Sequence, residues 1–204
     1  MRYALDHKAQ THQRIVKEAS ARFRRDGIGA TGLQPLMKAL GLTHGGFYAH
    51  FKSKDDLVEQ ALRQAVDEVK AITREVFDNR NDQESLTYFI ELYLSTKHKE
   101  EADTGCPLPS MCSELGQRNK PSPMTDEIVF HLLTLFENSL PGDDANTKSM
   151  LILSSLVGGL MLSRSTHDRQ LSERILKTTR EVLQREVHEG QPEKNINMEL
   201  LTLQ

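Results

Sequence analysis

The sequence predicts an all-α fold in two parts, a small N-terminal three-helix domain and a larger helical body. Three observations carry that prediction. Apolar residues recur at three- and four-residue spacing through segment after segment, no run alternates as a half-buried strand would, and the breaks are short clusters of Gly, Pro and polar residues. A length of 204 residues with 37% hydrophobic content suits one core or two interdependent ones.

The first helix is expected from about Asp6 or Thr11 to Asp26, with Ile15, Ala19 and Phe23 at four-residue steps and Gly27 as its stop. Residues 2–12 form a candidate basic arm, and the later arginines of this helix read as a solvated face. Residues 27–32, Gly-Ile-Gly-Ala-Thr-Gly, satisfy the dinucleotide glycine pattern in form only. A helix precedes them where the pyrophosphate site needs a strand, so they read as a turn. Thr31 or Gly32 is placed to cap the second helix, whose stripe is Leu33, Leu36, Met37 and Leu40; Pro35 is tolerated because it falls in the first turn.

Residues 41–51, Gly-Leu-Thr-His-Gly-Gly-Phe-Tyr-Ala-His-Phe, are the centre of the chain. Gly41 can take the left-handed conformation that ends one helix, and Thr43 can cap the next. Leu42 and Phe47 stand at staple spacing, and Phe47 and Phe51 share one face. The opposite face is small, polar and cationic, and the pair Gly45-Gly46 costs about 1 kcal/mol per glycine in a helix, a cost that close approach of a ligand backbone would explain. Helix, glycine turn and helix can lay the second helix in a DNA major groove. On that reading Gln34, Thr43, His44 and Gly45 are candidates for base edges, while Thr31, Tyr48, His50, Lys52 and Lys54 are candidates for phosphates.

Charge agrees with the motif. Residues 1–54 carry ten Lys or Arg against three Asp or Glu, +7, and the other 150 residues carry 16 against 26, −10. A basic end on an acidic body suits polyanion binding at that end alone.

The run from Gly41 to Leu57, with the match extending back through Thr31 to the first helix, resembles the recognition signature of TetR/AcrR-type transcriptional repressors. Pro35 and Leu36-Met37 depart from the acidic residue and Ile-Ala more usual there. The resemblance implies a repressor that binds a palindromic operator as a homodimer, is released by a small-molecule inducer, and transmits ligand occupancy through the helix that follows. It also implies phosphate contacts at the Tyr48 and Lys54 positions.

Ser53 and Asp56 form a variant capping box, so that connecting helix starts at Lys54; Leu57, Ala61, Val66, Val69, Ile72 and Val76 carry its stripe to about Asp78. The polar break at 79–84 then divides a DNA-binding part, 1–54, from a regulatory and dimerising part, 79–190, with a tail at 191–204. Further helices are expected at Ser85–His98, from near Pro107 to Gln117, and at Met124–Ser139, Ala145–Arg164 and Asp168–His188, with a short one at 198–203.

The inducer is expected among Phe89, Tyr93, Met111, Phe130, Leu133 and Met161. Met150–Leu162 is apolar round most of its circumference but short of the ~18 residues that span a bilayer, so it reads as a buried helix. Ser155, Gly158, Gly159, Leu162 and Ile175 are the candidate dimer contacts. Cys106, ahead of Pro107 at a helix start, is a candidate low-pKa thiol, which opens redox sensing as an alternative. No secretory signal is legible and two cysteines make no disulfide framework, so a reducing cytoplasm is expected, without membrane partner, metal or cofactor. No catalytic motif appears; an enzyme built without one is the alternative from another class.

Overall fold

The structure, a computed structural model, describes residues 2–77 and 82–189, and these contain helices and no strand. The short helix expected at 198–203 and residues 79–81 of the polar break lie outside the described residues. Helix α1 (Arg2–Asp26) starts earlier than expected, so residues 2–12 continue the helix instead of forming an arm. It ends at Gly27, whose φ of +90° is the left-handed turn anticipated there. Helix α2 (Leu33–Ala39) has Gly32 at its N-cap, because the Thr31 hydroxyl donates back to the Gly27 carbonyl at 2.8 Å.

After the left-handed Gly41 the chain departs from expectation. Residues Gly45–Ala49 form a 3-10 helix, not an α-helix. Two successive glycines give little helical preference, and the tighter winding bonds each amide three residues back, Gly46 to Thr43 and Phe47 to His44. The Thr43 hydroxyl caps this turn by accepting from the Gly46 amide at 3.2 Å. Phe47 and Phe51 stack with centroids 5.3 Å apart and are buried with Ile15, Phe23, Ile28, Leu36, Met37 and Leu57. This small core holds α1, α2 and the 3-10 turn together as a head; truncating Phe47 to alanine there would cost about 3–5 kcal/mol.

Ser53 caps α3 (Lys54–Phe77) through the Asp56 amide, while Asp56 reaches back to the Lys52 amide, one residue before the capping box places it. The body follows as α4 (Gln83–Tyr93), α5 (Thr96–Glu100), a π turn (Leu108–Cys112), α6 (Ser113–Gln117), α7 (Pro123–Ser139), α8 (Ala145–Ser165) and α9 (Arg169–His188). The helix expected at 85–98 is thus two, broken where Ser95 caps α5 by accepting from the His98 amide.

Helices α8 and α9 pack closely. The buried Ser172 hydroxyl donates to the Ser163 carbonyl at 2.6 Å, and a Cβ on Gly159 would stand 3.2 Å from Thr179 Cγ2. Gly159 is therefore a contact within the chain, which corrects its assignment to the dimer surface. Gly158, one residue earlier, faces open space. By length and composition α8 could cross a membrane, but its apolar residues divide between two faces: Ile152, Leu156 and Leu160 inward, Leu151 and Leu162 outward.

Candidate nucleic-acid interface and regulatory groove

The head presents Gln34, Thr43, His44, Gly45, Tyr48 and Lys52 at its surface. Tyr48 is 63% exposed with its ring edge-on to Phe47, so the core beneath fixes a polar-tipped aromatic on the outside. A Cβ on Gly45 would meet nothing within 4 Å, so no packing inside the chain explains the glycine. Basic Lys52 and the outward hydroxyl and imidazole groups make an array able to donate to phosphates and base edges.

Three expected contacts sit differently. Thr31 is buried with its only O–H committed to Gly27, so it has no proton to offer a phosphate. His50 is half-buried against Phe51 and His12, ring centroids 6.2 and 6.0 Å away, and its Nδ1 is enclosed without a partner. Burial, then the neighbouring His12 and Lys8, lowers its pKa. The Lys54 ammonium donates to the Ile28 carbonyl and is depressed mainly by burial; two N–H groups remain for another acceptor.

In the body, a cavity of about 290 Å³ opens between α3, α4 and the α5 segment. Val69, Ile72, Phe89, Leu92 and Tyr93 form its apolar walls; Ser95, Lys97, Glu101 and Thr104 are at its polar side, and His98, Gly105 and Cys106 close the end. Its size is at the low end of small-molecule sites, which run from about 300 Å³ upward. Phe89 and Tyr93 are here, as the sequence suggested. Met111 and Leu133 instead belong to the buried core, Phe130 is 69% exposed, and Met161 lies beside a separate surface depression with Arg24 and Arg164. Phe130 points away because α7 turns Ile128, Leu132 and Phe136 inward, and two residues from Ile128 is about 200° round the helix.

His98 organises the closed end. Its Nδ1 donates to the Tyr93 carbonyl at 2.7 Å and its Nε2 accepts from the Cys106 amide at 3.1 Å, a pairing that requires the neutral Nδ1–H tautomer. Burial lowers its pKa and favours that form. Gly105 passes so close that a Cβ there would be 2.7 Å from Nε2.

The thiol at Cys106 corrects an expectation. It is 5% exposed, and burial raises its pKa despite the help of the Leu108 amide, so the thiolate is disfavoured; Cys112 is pushed up to about 11 by the same cause. The polar group beside Cys106 is the Tyr93 hydroxyl, which is buried and makes no hydrogen bond to nitrogen or oxygen.

Residues that join the two parts escaped sequence reasoning. Arg24, expected to be solvated, is 4% exposed; its guanidinium pairs with Glu68 at 2.7 Å and donates to the Gly105 carbonyl at 3.1 Å. Glu114, on α6, accepts from the amides of Ile28 and Gly29, both at 2.7 Å. Pairs 44 to 86 residues apart leave no local pattern; the only sequence trace is the glycine spacing of the 27–32 turn.

Comparison with known proteins agrees with this architecture. Residues 15–61 match the family model described as bacterial regulatory proteins, tetR family. An uncharacterised HTH-type transcriptional regulator of Bacillus subtilis (strain 168), YxaF, is 27% identical over 170 residues, 79% of this chain and 89% of that protein. The HTH-type transcriptional regulator AcrR of Shigella flexneri is 39% identical over 51 residues, a quarter of each chain (25% and 24%). Among solved structures, a TetR transcriptional regulator from Chloroflexus aurantiacus J-10-FL superposes with a TM-score of 0.74 at 22% identity, covering 93% of this chain and 98% of that one. The reduced form of Escherichia coli NemR superposes with a TM-score of 0.69 at 13% identity, covering 85% and 95%. The helix-turn-helix head thus matches the tetR family model over residues 15–61, and the chain as a whole has the fold of TetR-type transcriptional regulators, the DNA-binding class that its sequence resembles.

Proposed function

We propose that this regulator is a cytoplasmic repressor that occupies a palindromic operator as a homodimer and is released by a small molecule bound in the groove. One observation carries the reading: the segment that closes the groove at Gly105 and Cys106 runs directly on to Glu114, which grips the head. Occupancy that displaces this segment therefore acts on the head, and Val69 and Ile72 give the ligand a second grip on the connecting helix α3. On this reading the DNA-binding part is residues 1–54, the regulatory and dimerising part is 79–190, and α3 connects them.

On the DNA, Thr43, His44, Gly45 and Gln34 meet base edges, while Tyr48 and Lys52, with the spare protons of Lys54, contact phosphates. The partner subunit packs on the outward stripe of α8, Leu151, Ser155, Gly158 and Leu162, and on Leu171, Ile175 and Val182 of α9. Leu151 and Leu162 are 51% and 58% exposed, and Gly158 admits a close helix. Two heads then face successive major grooves about 34 Å apart. A coupling of about 1–3 kcal/mol between ligand and DNA changes operator affinity roughly 5- to 150-fold.

Fluorescence anisotropy with DNA from upstream of the protein's own gene, over a salt series and against scrambled competitor, tests the DNA half. The expected result is competitor-resistant binding by two chains per site, weakened by Tyr48→Ala and by Lys52→Ala, with a shallower salt slope in the lysine variant. Equal binding to both DNAs would sink the operator reading. Small apolar compounds screened on the preformed complex then test release.

A further inference from the structure

The turn between α1 and α2 is held from both sides. Its amides at Ile28 and Gly29 each donate to a separate oxygen of Glu114 at 2.7 Å, and its carbonyl at Ile28 accepts from Lys54. A Cβ on Gly27 or Gly29 would stand 3.1 Å from a Glu114 oxygen, so the glycines are what let the carboxylate come this close. The amides that such a turn would otherwise offer to an anion are taken by a side chain of the body. The other buried polar link from body to head is Arg24, which donates to the Gly105 carbonyl at 3.1 Å; Asp55 with Lys120 and Arg118, largely exposed, and Ser122 with Glu59, a single hydrogen bond, tie the body to α3 instead.

We propose that Glu114 is a positioning residue for DNA recognition: by clamping the Ile28 and Gly29 amides it fixes how the head is oriented on the body, and so fixes the half-site spacing that the dimer reads. The inference rests on the dimeric operator reading above. Inserting one base pair between half-sites moves the second by about 3.4 Å and turns it by about 34°, a change that a rigidly held pair of heads cannot follow. A head freed from one of its strongest attachments can follow it in part. Glu114 needs no contact with DNA for this effect.

The test uses the full-length protein with Glu114→Gln, which keeps the side-chain volume but offers only one acceptor oxygen, and Gly29→Ala, which disturbs the same contact from the other side. The preferred site is first selected from random DNA by the unmodified protein; affinity is then measured on that site and on versions with one base pair inserted or removed at the centre. Amide exchange of the 27–30 turn reports whether the clamp has opened. We expect the unmodified protein to lose about tenfold or more on the altered spacings, and both variants to lose about threefold or less. An unchanged spacing penalty in variants whose turn amides exchange faster would overturn the assignment. An unmodified protein indifferent to spacing would instead remove the two-headed reading, and the inference with it. Should either variant melt early, Glu114→Ala measured below its transition gives the same comparison.

Discussion

Replacing Gly105 with alanine is a severe perturbation for one methyl group. Gly105 does not have a positive φ, so alanine suits its backbone, and space alone forbids it. The new Cβ would lie 2.7 Å from His98 Nε2 and 2.8 Å from Cδ2, against about 3.4 Å for an ordinary contact, and Arg164 Nη2 waits at 3.3 Å on another side. The imidazole cannot retreat freely, because its Nδ1 is bonded to the Tyr93 carbonyl at 2.7 Å. Overpacking costs about 1–3 kcal/mol and losing the buried Cys106 amide bond about 1 kcal/mol more, so Gly105→Ala is expected to lose about 2–4 kcal/mol. In a chain of this length each kcal/mol moves the midpoint by about 2–4 °C, so thermal unfolding followed by circular dichroism should fall by about 4–16 °C. The Gly105 carbonyl also holds Arg24, so operator affinity should change with it. A variant whose urea unfolding free energy stays within about 0.5 kcal/mol of the parent would refute the packing described for the closed end of the groove.

Gly45→Ala should do the reverse, leaving stability unchanged or raising it by up to about 1 kcal/mol while weakening DNA binding; retained affinity would show that no backbone comes close there. Three histidines, His50, His98 and His131, have folded pKa values lowered chiefly by burial from the usual 6.5. The unfolded chain therefore binds more protons as pH falls, so stability is full above about pH 6.5 and declines below it; urea midpoints at pH 7.5 and 5.5 should differ, and differ less in His98→Gln. Gly158→Leu should raise the dimer dissociation constant in sedimentation without lowering helix content, and an unaltered constant would move the interface elsewhere. Cys106 and Cys112 should react slowly with a thiol reagent at pH 7.5 until the chain unfolds, since burial raises both. A thiol that reacts at once would restore the redox alternative.

Much of the fold was legible because helices and their ends are local. The stripe on α3, the cap at Ser53 and the stops at Gly27 and Gly41 all lie within a few residues of what they determine. The 3-10 turn at Gly45–Ala49 escaped because two glycines leave the choice of helix to the surrounding packing. At Cys106 a local argument, the helix start, favoured the thiolate, but burial from residues distant in sequence reversed it. Phe130, apolar yet outside, and Arg24, charged yet inside, show the same limit: residue type sets a preference, and the neighbours decide. His98 and Glu114 owe their places to partners that no spacing rule connects.

The seam between head and body is written largely in main-chain atoms. Glu114 reads two amides and Arg24 a carbonyl, and the small glycines at 27 and 29 give the carboxylate its room, so much of the polar contact between head and body asks for a backbone conformation and not for a matching side chain. Contacts of that kind favour exchange between relatives. A head from a relative that supplies the glycine turn and the arginine should graft onto this body and, on the function proposed above, answer to its groove, which would let one sensor be wired to operators of choice.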